Sequence, residues 1–126
     1  MINLLDIRYV RLGTRQHVET DRFAREVLGL ELARVEAGSS YFRSDSRDHT
    51  LVYFEGDPAD HTVGFEIRTS EELDAAGAEL SNSGIEVRAG SAEECEQRHV
   101  NGFIHFRDPT GNKIDLLQDG DAYFPA

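Results

Sequence analysis

Few side chains in this sequence can ligate a metal or move a proton near neutral pH. There are five histidines (His17, His49, His61, His99 and His105) and one cysteine, Cys95, set among 24 acidic residues. His105 alternates with Phe103 and Arg107 in a strand-like run, so the three share a face. There His105 could hydrogen-bond, ligate weakly or act as a base; structural satisfaction is the simpler reading. His61 is in step with Val63, Phe65 and Ile67 and reads as a strand-end histidine beside helix-packed core. His17, His49 and His99 fall at turns or helix edges and read as solvated. Cys95 stands beside Glu93, Glu94 and Glu96, whose charge disfavours a thiolate. No G-x-S-x-G, Walker or dinucleotide-binding glycine motif occurs.

The elements that would hold these residues follow from periodicity. Leu5, Ile7 and Tyr9 alternate with Val10 and Leu12 on the other face, as in a strand. Val18, Phe23, Val27 and Leu28 recur at helical spacing, with Thr20 or an earlier polar residue as cap and Gly29 as the ending glycine. Strand-like runs follow at 30–35, 41–43 and 50–55. Gly56-Asp57-Pro58-Ala59-Asp60 is the clearest break. After it the order recurs: a strand at 61–68, a cap at Thr69-Ser70, and a helical stripe of Leu73, Ala76 and Leu80 ended by Gly84. A strand at 85–88 comes next, then a capping box of Ser91 with Glu94 opening a short helix through Arg98. A hairpin of 102–107 with 113–117 closes the pattern. Gly29-Leu30-Glu31-Leu32 resembles Gly84-Ile85-Glu86-Val87 at an offset of 55 residues. The chain therefore reads as an α+β fold of two paired βαβββ modules, at about 3–55 and 61–118, each too small to bury its own sheet. Pairing them predicts a curved, mostly antiparallel sheet around a concavity, with helices outside. Residues 1–120 form one domain in this reading and 121–126 a tail.

At 126 residues there is room for one ordinary domain. A net charge of −11 leaves no basic stripe for nucleic acid, and no apolar run approaches the ~20 residues of a membrane span. The start lacks the basic region of a signal peptide, and a lone cysteine suits a reducing cytoplasm. A cytoplasmic protein is expected.

The stretch from Gly102 to Leu116, with Phe106-Arg107-Asp108-Pro109-Thr110-Gly111-Asn112-Lys113-Ile114-Asp115-Leu116 at its centre, resembles the F-x-DP-x-GN-x-[IL]-[ED]-[LI] signature of the vicinal oxygen chelate superfamily. That superfamily includes glyoxalase I, bleomycin and fosfomycin resistance proteins, and extradiol catechol dioxygenases. Leu4 to about Gly120 is covered. The Gly84-Ile85 strand entry, Ala92-Glu93-Glu94, Arg98 to Gly102, and Gly120 to Phe124 are most similar to the N-terminal domain of type I extradiol dioxygenases. The resemblance implies a divalent ion held by His or Glu from equivalent strands of the two halves. The corresponding positions here are Tyr9, Thr62, Asp115 and, for a fourth, about Val52. Only Asp115 keeps a ligand-type side chain, and one carboxylate would hold a metal weakly. The chain is therefore read as having no metal ligands and no catalytic residues of its own. Tyr9, Arg11, Thr62, Gly64, Glu66, His105, Arg107 and Asp115 are expected on the concave face. There Arg11 and Arg107 would neutralise the two acids or orient an anionic ligand.

The resemblance implies a non-catalytic N-terminal module of an aromatic ring-cleaving dioxygenase. Fe(II) would then be held by a missing C-terminal domain, and that domain or a homodimer partner would be packed against this chain. The tail at 123–126 stops where such enzymes continue. Two alternatives stand beside it. One is a stand-alone binder of a small aromatic ligand, of bleomycin-resistance type. The other is a small metal-dependent, glyoxalase-like enzyme using Asp115, His105 and His61.

Overall fold

The computed structural model describes residues 1–118, so the expected tail and the stretch from Gly120 to Phe124 lie outside the described residues. The elements are β1 (Asp6–Thr14), α1 (His17–Glu26), β2 (Glu31–Glu36), β3 (Ser39–Arg43), β4 (Leu51–Glu55), β5 (His61–Glu66), α2 (Ser70–Asn82), β6 (Arg88–Ala89), α3 (Ala92–Arg98), β7 (Gly102–Arg107) and β8 (Lys113–Gln118). The βαβββ order occurs twice, with α3 added to the second copy. The strands form an open, mixed sheet of order β2-β3-β4-β1-β5-β8-β7-β6, an α+β architecture as the repeat predicts. The chain divides into two compact units, residues 9–62 and residues 1–8 with 63 onward.

In the unit of residues 9–62, β1 runs parallel to β4, and β4, β3 and β2 follow antiparallel. Its core is Tyr9, Tyr41, Phe42, Val52 and Ala24. The helix α1 departs from expectation. Val18 is 84% exposed, Phe23, Val27 and Leu28 are also exposed, and Ala24 is the residue the helix buries. A small side chain lets the helix lie close to β4, which a branched stripe would prevent. Thr20 is not the cap. Gln16 holds that position without a side-chain cap bond; its N–H goes to Thr14 Oγ1 (3.0 Å), and Thr20 donates to its carbonyl (2.8 Å).

In the other unit, Leu73 and Ala76 of α2 pack on Ile67, Phe106 and Leu116, with Phe65, Leu80, Ile85, Val87, Ile104 and Ile114 around them. Burial of this kind is worth roughly 1.5–3 kcal/mol per large side chain. Thr69 caps α2 by accepting the Glu72 N–H at 3.1 Å, and Gly84 follows its end with φ of +87°, a conformation that favours glycine. Two strands are shorter than expected. β5 stops at Glu66, and β6 keeps only Arg88 and Ala89, because Ile85 and Val87 turn onto the α2 core instead of continuing the ladder. On the exposed N-terminal residues the alternation also fails: Leu5 and Ile7 are exposed, whereas Tyr9 is buried.

β7 and β8 form the expected hairpin, with Gly102 opposite Gln118 through Arg107 opposite Lys113. Its turn shows why the signature has its spacing. Asp108 Oδ1 accepts from the N–H groups of Thr110 and Asn112 and from the Thr110 hydroxyl, and Oδ2 accepts from Asn112 Nδ2. These bonds, led by those from Asn112, hold the Asp108 carboxyl down at about 2. The best-marked motif in the sequence is thus turn chemistry that sets the hairpin register and places Asp115 opposite His105.

Candidate functional site

Asp115 of β8 has no exposed surface. Its Oδ2 accepts from Arg98 Nε at 2.9 Å and its Oδ1 from His105 Nδ1 at 2.7 Å. Arg98 is itself buried at the end of α3, its guanidinium 4.4 Å from the centroid of the Phe103 ring. The Phe103 ring fills the space a side chain at position 90 would need, so Gly90 allows this platform. The capping box is present as read: Glu94 N–H to Ser91 Oγ at 3.1 Å, and Ser91 N–H to Glu94 Oε1 at 3.0 Å. It fixes the start of the helix that delivers Arg98. Glu94 is held at about 2, first by its bond from Arg88 and then by Ser91.

The expected charge pairing therefore changes. Arg107 does not neutralise Asp115; it donates to the Gly111 carbonyl at 3.0 Å. Arg98 takes that role, and the sequence reading passed over it. A recognisable signal existed: a basic residue in the last turn of a well-capped helix, just before the signature hairpin. Cys95 is also corrected in its cause. Its thiol is pushed up chiefly by burial, with Glu94 a lesser contributor and Arg98 acting the other way.

The second cluster lies in the unit of residues 9–62 and overturns the reading of His49 as solvated. His49 is 3% exposed. Its ring stacks on Tyr9 (centroids 5.5 Å apart) and meets Tyr41 edge-on at 5.1 Å. Asp48 Oδ2 accepts from His49 Nδ1 at 2.6 Å and from an Arg34 terminal nitrogen at 2.7 Å, while Arg34 lies 3.9 Å over the Tyr41 ring. Burial alone would raise the Asp48 pKa, but the bonds from His49 and Arg34 outweigh it and hold it well below the usual carboxylate range. Burial lowers the His49 pKa, against the pull of Asp48. Among the described residues, His49 Nε2 is buried with no hydrogen-bond partner. Two buried residues account for two of the remaining ligand positions. Val52 is apolar core, and Tyr9 presents its ring to His49.

Thr62 is buried at the start of β5 and His61 beside it is half-buried. Arg11 lies 5.9 Å from the centroid of Phe54, and Glu66 ends β5, its carbonyl accepting from the Leu5 N–H at 2.9 Å. His17 is also less solvated than read. Its Nε2 is 3.0 Å from Ser40 Oγ, and Ser40 donates to Asp21 at 2.6 Å. This serine–histidine–aspartate group is not a nucleophile with its base, because the one hydroxyl proton of Ser40 goes to the carboxylate.

The residues at the family's metal-ligand positions do not fit an iron site. Tyr9 and Thr62 bring a stacked ring and a hydroxyl where imidazoles are needed. Iron on Asp115 would have to displace both a guanidinium and an imidazole from a carboxylate without exposed surface. Among the described residues, no group of three or more His, Cys, Asp or Glu side chains is placed to hold a metal ion. No helix among them is long and apolar enough to cross a membrane.

Comparison with known proteins agrees with this fold. The chain is 28% identical over 118 residues to an iron-dependent extradiol dioxygenase of Rhodococcus jostii, covering 92% of this chain and 39% of that protein. It is 31% identical over 104 residues to a 3-methylcatechol 2,3-dioxygenase of Pseudomonas putida, covering 81% of this chain and 35% of that protein. Among solved structures, a halotolerant catechol dioxygenase superposes with a TM-score of 0.85 at 24% identity, over 97% of this chain and 43% of the other, a likeness of fold. The chain thus spans well under half the length of the relatives it matches. The pattern described as the Glyoxalase/Bleomycin resistance protein/Dioxygenase superfamily matches residues 7–116. With the βαβββ repeat and the 102–116 signature already in place, this match settles the family: the chain belongs to the glyoxalase/bleomycin resistance/dioxygenase superfamily.

Proposed function

We propose that this chain is a non-catalytic module of an extradiol, aromatic ring-cleaving dioxygenase, corresponding to the N-terminal part of such enzymes. In this reading it supports a second domain that holds Fe(II), and residues 1–120 act as one domain. A cytoplasmic setting and a dimeric assembly belong to the same reading. The carrying observation is the state of Asp115, the one ligand-type residue at a family position. Both of its oxygens are engaged, by Arg98 and His105, and it has no exposed surface. A carboxylate neutralised in this way serves as structure. The short span of the chain relative to its dioxygenase relatives supports the same reading.

The test is incubation of the chain with Fe(II), oxygen and a panel of catechols, following the yellow ring-opened product. No turnover above the free-iron control is expected. Turnover above that control, abolished by Asp115→Ala, would overturn the reading and favour a small metal-dependent enzyme.

A further inference from the structure

The unit of residues 9–62 holds a further polar group that a supporting role in ring cleavage does not require: His17, Asp21, Ser40 and Glu55. His17 and Asp21 stand four residues apart on α1 and so share one face of the helix. Local bonds fix how that helix starts: the hydroxyls of Thr14 and Thr20 meet at 2.9 Å, and the Gln16 N–H is tied to Thr14 Oγ1. Against the His17–Asp21 face lies the buried Ser40 of β3, whose hydroxyl oxygen is 3.0 Å from His17 Nε2 and donates to Asp21 Oδ2 at 2.6 Å. Asp21 Oδ1 is buried and, among the described residues, has no hydrogen-bond partner. It lies 3.5 Å from His17 Nε2, and Glu55 Oε2 of β4 lies 3.7 Å from His17 Nδ1. At these separations the ring hydrogen-bonds to neither acid. Among the described residues, no arginine or lysine pairs with Asp21 or Glu55. The Asp21 charge is felt at Tyr53, whose hydroxyl is pushed up by burial first and by that charge second. Two carboxylates without a fixed countercharge thus flank one imidazole.

We propose that this cluster is a binding site for a divalent transition-metal ion of the zinc class, held by His17 Nε2 and Asp21 Oδ1. Zinc bonds of about 2.0–2.1 Å span the 3.5 Å between those atoms at an angle of roughly 115°, close to tetrahedral. Ser40 Oγ stands beside both residues as a third, weaker oxygen, and water completes the shell. The ion takes the place of the proton on Nε2, and the ring proton on Nδ1 then faces the Glu55 carboxylate, an arrangement that orients a metal-bound histidine. Two carboxylates balance one dication, and an imidazole ligand favours zinc over magnesium. The site uses none of the family's ligand positions and involves no ring cleavage, so its failure is distinguishable from failure of the proposed function. It is tested by calorimetric titration of the whole chain with zinc chloride and with magnesium chloride at neutral pH, with NMR of the histidine rings. One zinc per chain is expected, with the His17 ring signals shifted and magnesium at least tenfold weaker. His17→Gln and Asp21→Asn should each weaken zinc at least tenfold. Glu55→Gln, at an exposed position, should weaken it at least threefold with the thermal midpoint unchanged, which keeps the test decisive should the helix variants not fold. No saturable binding below about 1 mM zinc would overturn the assignment. So would shifts confined to other histidines, magnesium as tight as zinc, or an unchanged zinc affinity in Glu55→Gln.

Discussion

Each of the two units contains an arginine–aspartate–histidine group with at least one member buried, and in each the guanidinium lies over an aromatic ring. In one, Arg98 and His105 hold Asp115 and Phe103 is the platform; in the other, Arg34 and His49 hold Asp48 and Tyr41 is the platform. The difference is in how the partners meet the carboxylate. Asp115 offers a separate oxygen to each partner, whereas Arg34 and His49 both meet Oδ2 of Asp48. The histidines also differ. His105 lines an open cavity, while His49 is sandwiched among rings with Nε2 buried and, among the described residues, unpartnered. One group joins a buried, neutralised anion to an open cavity; the other keeps its acid and arginine partly exposed and buries only its histidine.

The largest effect should come from removing the two acids. Asp115→Ala strands the buried Arg98 and is expected to cost about 3–5 kcal/mol in chemical denaturation. Asp48→Ala should cost less, because the Asp48 carboxylate is 17% exposed and water can reach Arg34 once it is gone. Equal losses would break the distinction between the two clusters.

The histidine difference is sharpened by pH. Burial holds the folded His49 pKa below its unfolded value of about 6.5. Above that value neither state carries the proton, and the neutral ring keeps its full contribution. As pH falls below it, the unfolded chain binds a proton that the folded chain resists, and stability declines until the folded pKa is passed. His49→Phe should flatten the part of the stability profile lying just below pH 6.5. An unchanged profile would show that His49 is not the titrating group. The smallest expected effect concerns how Arg98 is delivered. Ser91→Ala removes the α3 cap at a cost of about 1 kcal/mol by denaturation, with the β7–β8 amide resonances unmoved. A loss as large as that of Asp115→Ala would mean that α3 and the buried trio unfold as one unit.

What the sequence determined by itself was whatever short-range chemistry enforces. The repeat, the Thr69 and Ser91 caps, the glycine after α2, and the Asp108–Asn112 turn were all legible, because each is fixed by bonds within a few residues. The same turn fixed the hairpin register, and with it the neighbourhood of His105 and Asp115.

Only the tertiary structure decided which partners those groups take. Arg98 reaches Asp115 across 17 residues, and Arg34 reaches Asp48 across 14, distances at which spacing carries no signal. His49, in an apparently solvated turn, is enclosed by Tyr9 and Tyr41, which come from other strands. The exposed stripe of α1 likewise shows that helical periodicity records which residues share a face, whereas the packing of Ala24 determines which face is buried. Local hydrogen bonds set the elements, but burial and charge pairing depend on what the fold brings into contact, and that is not written in any one segment.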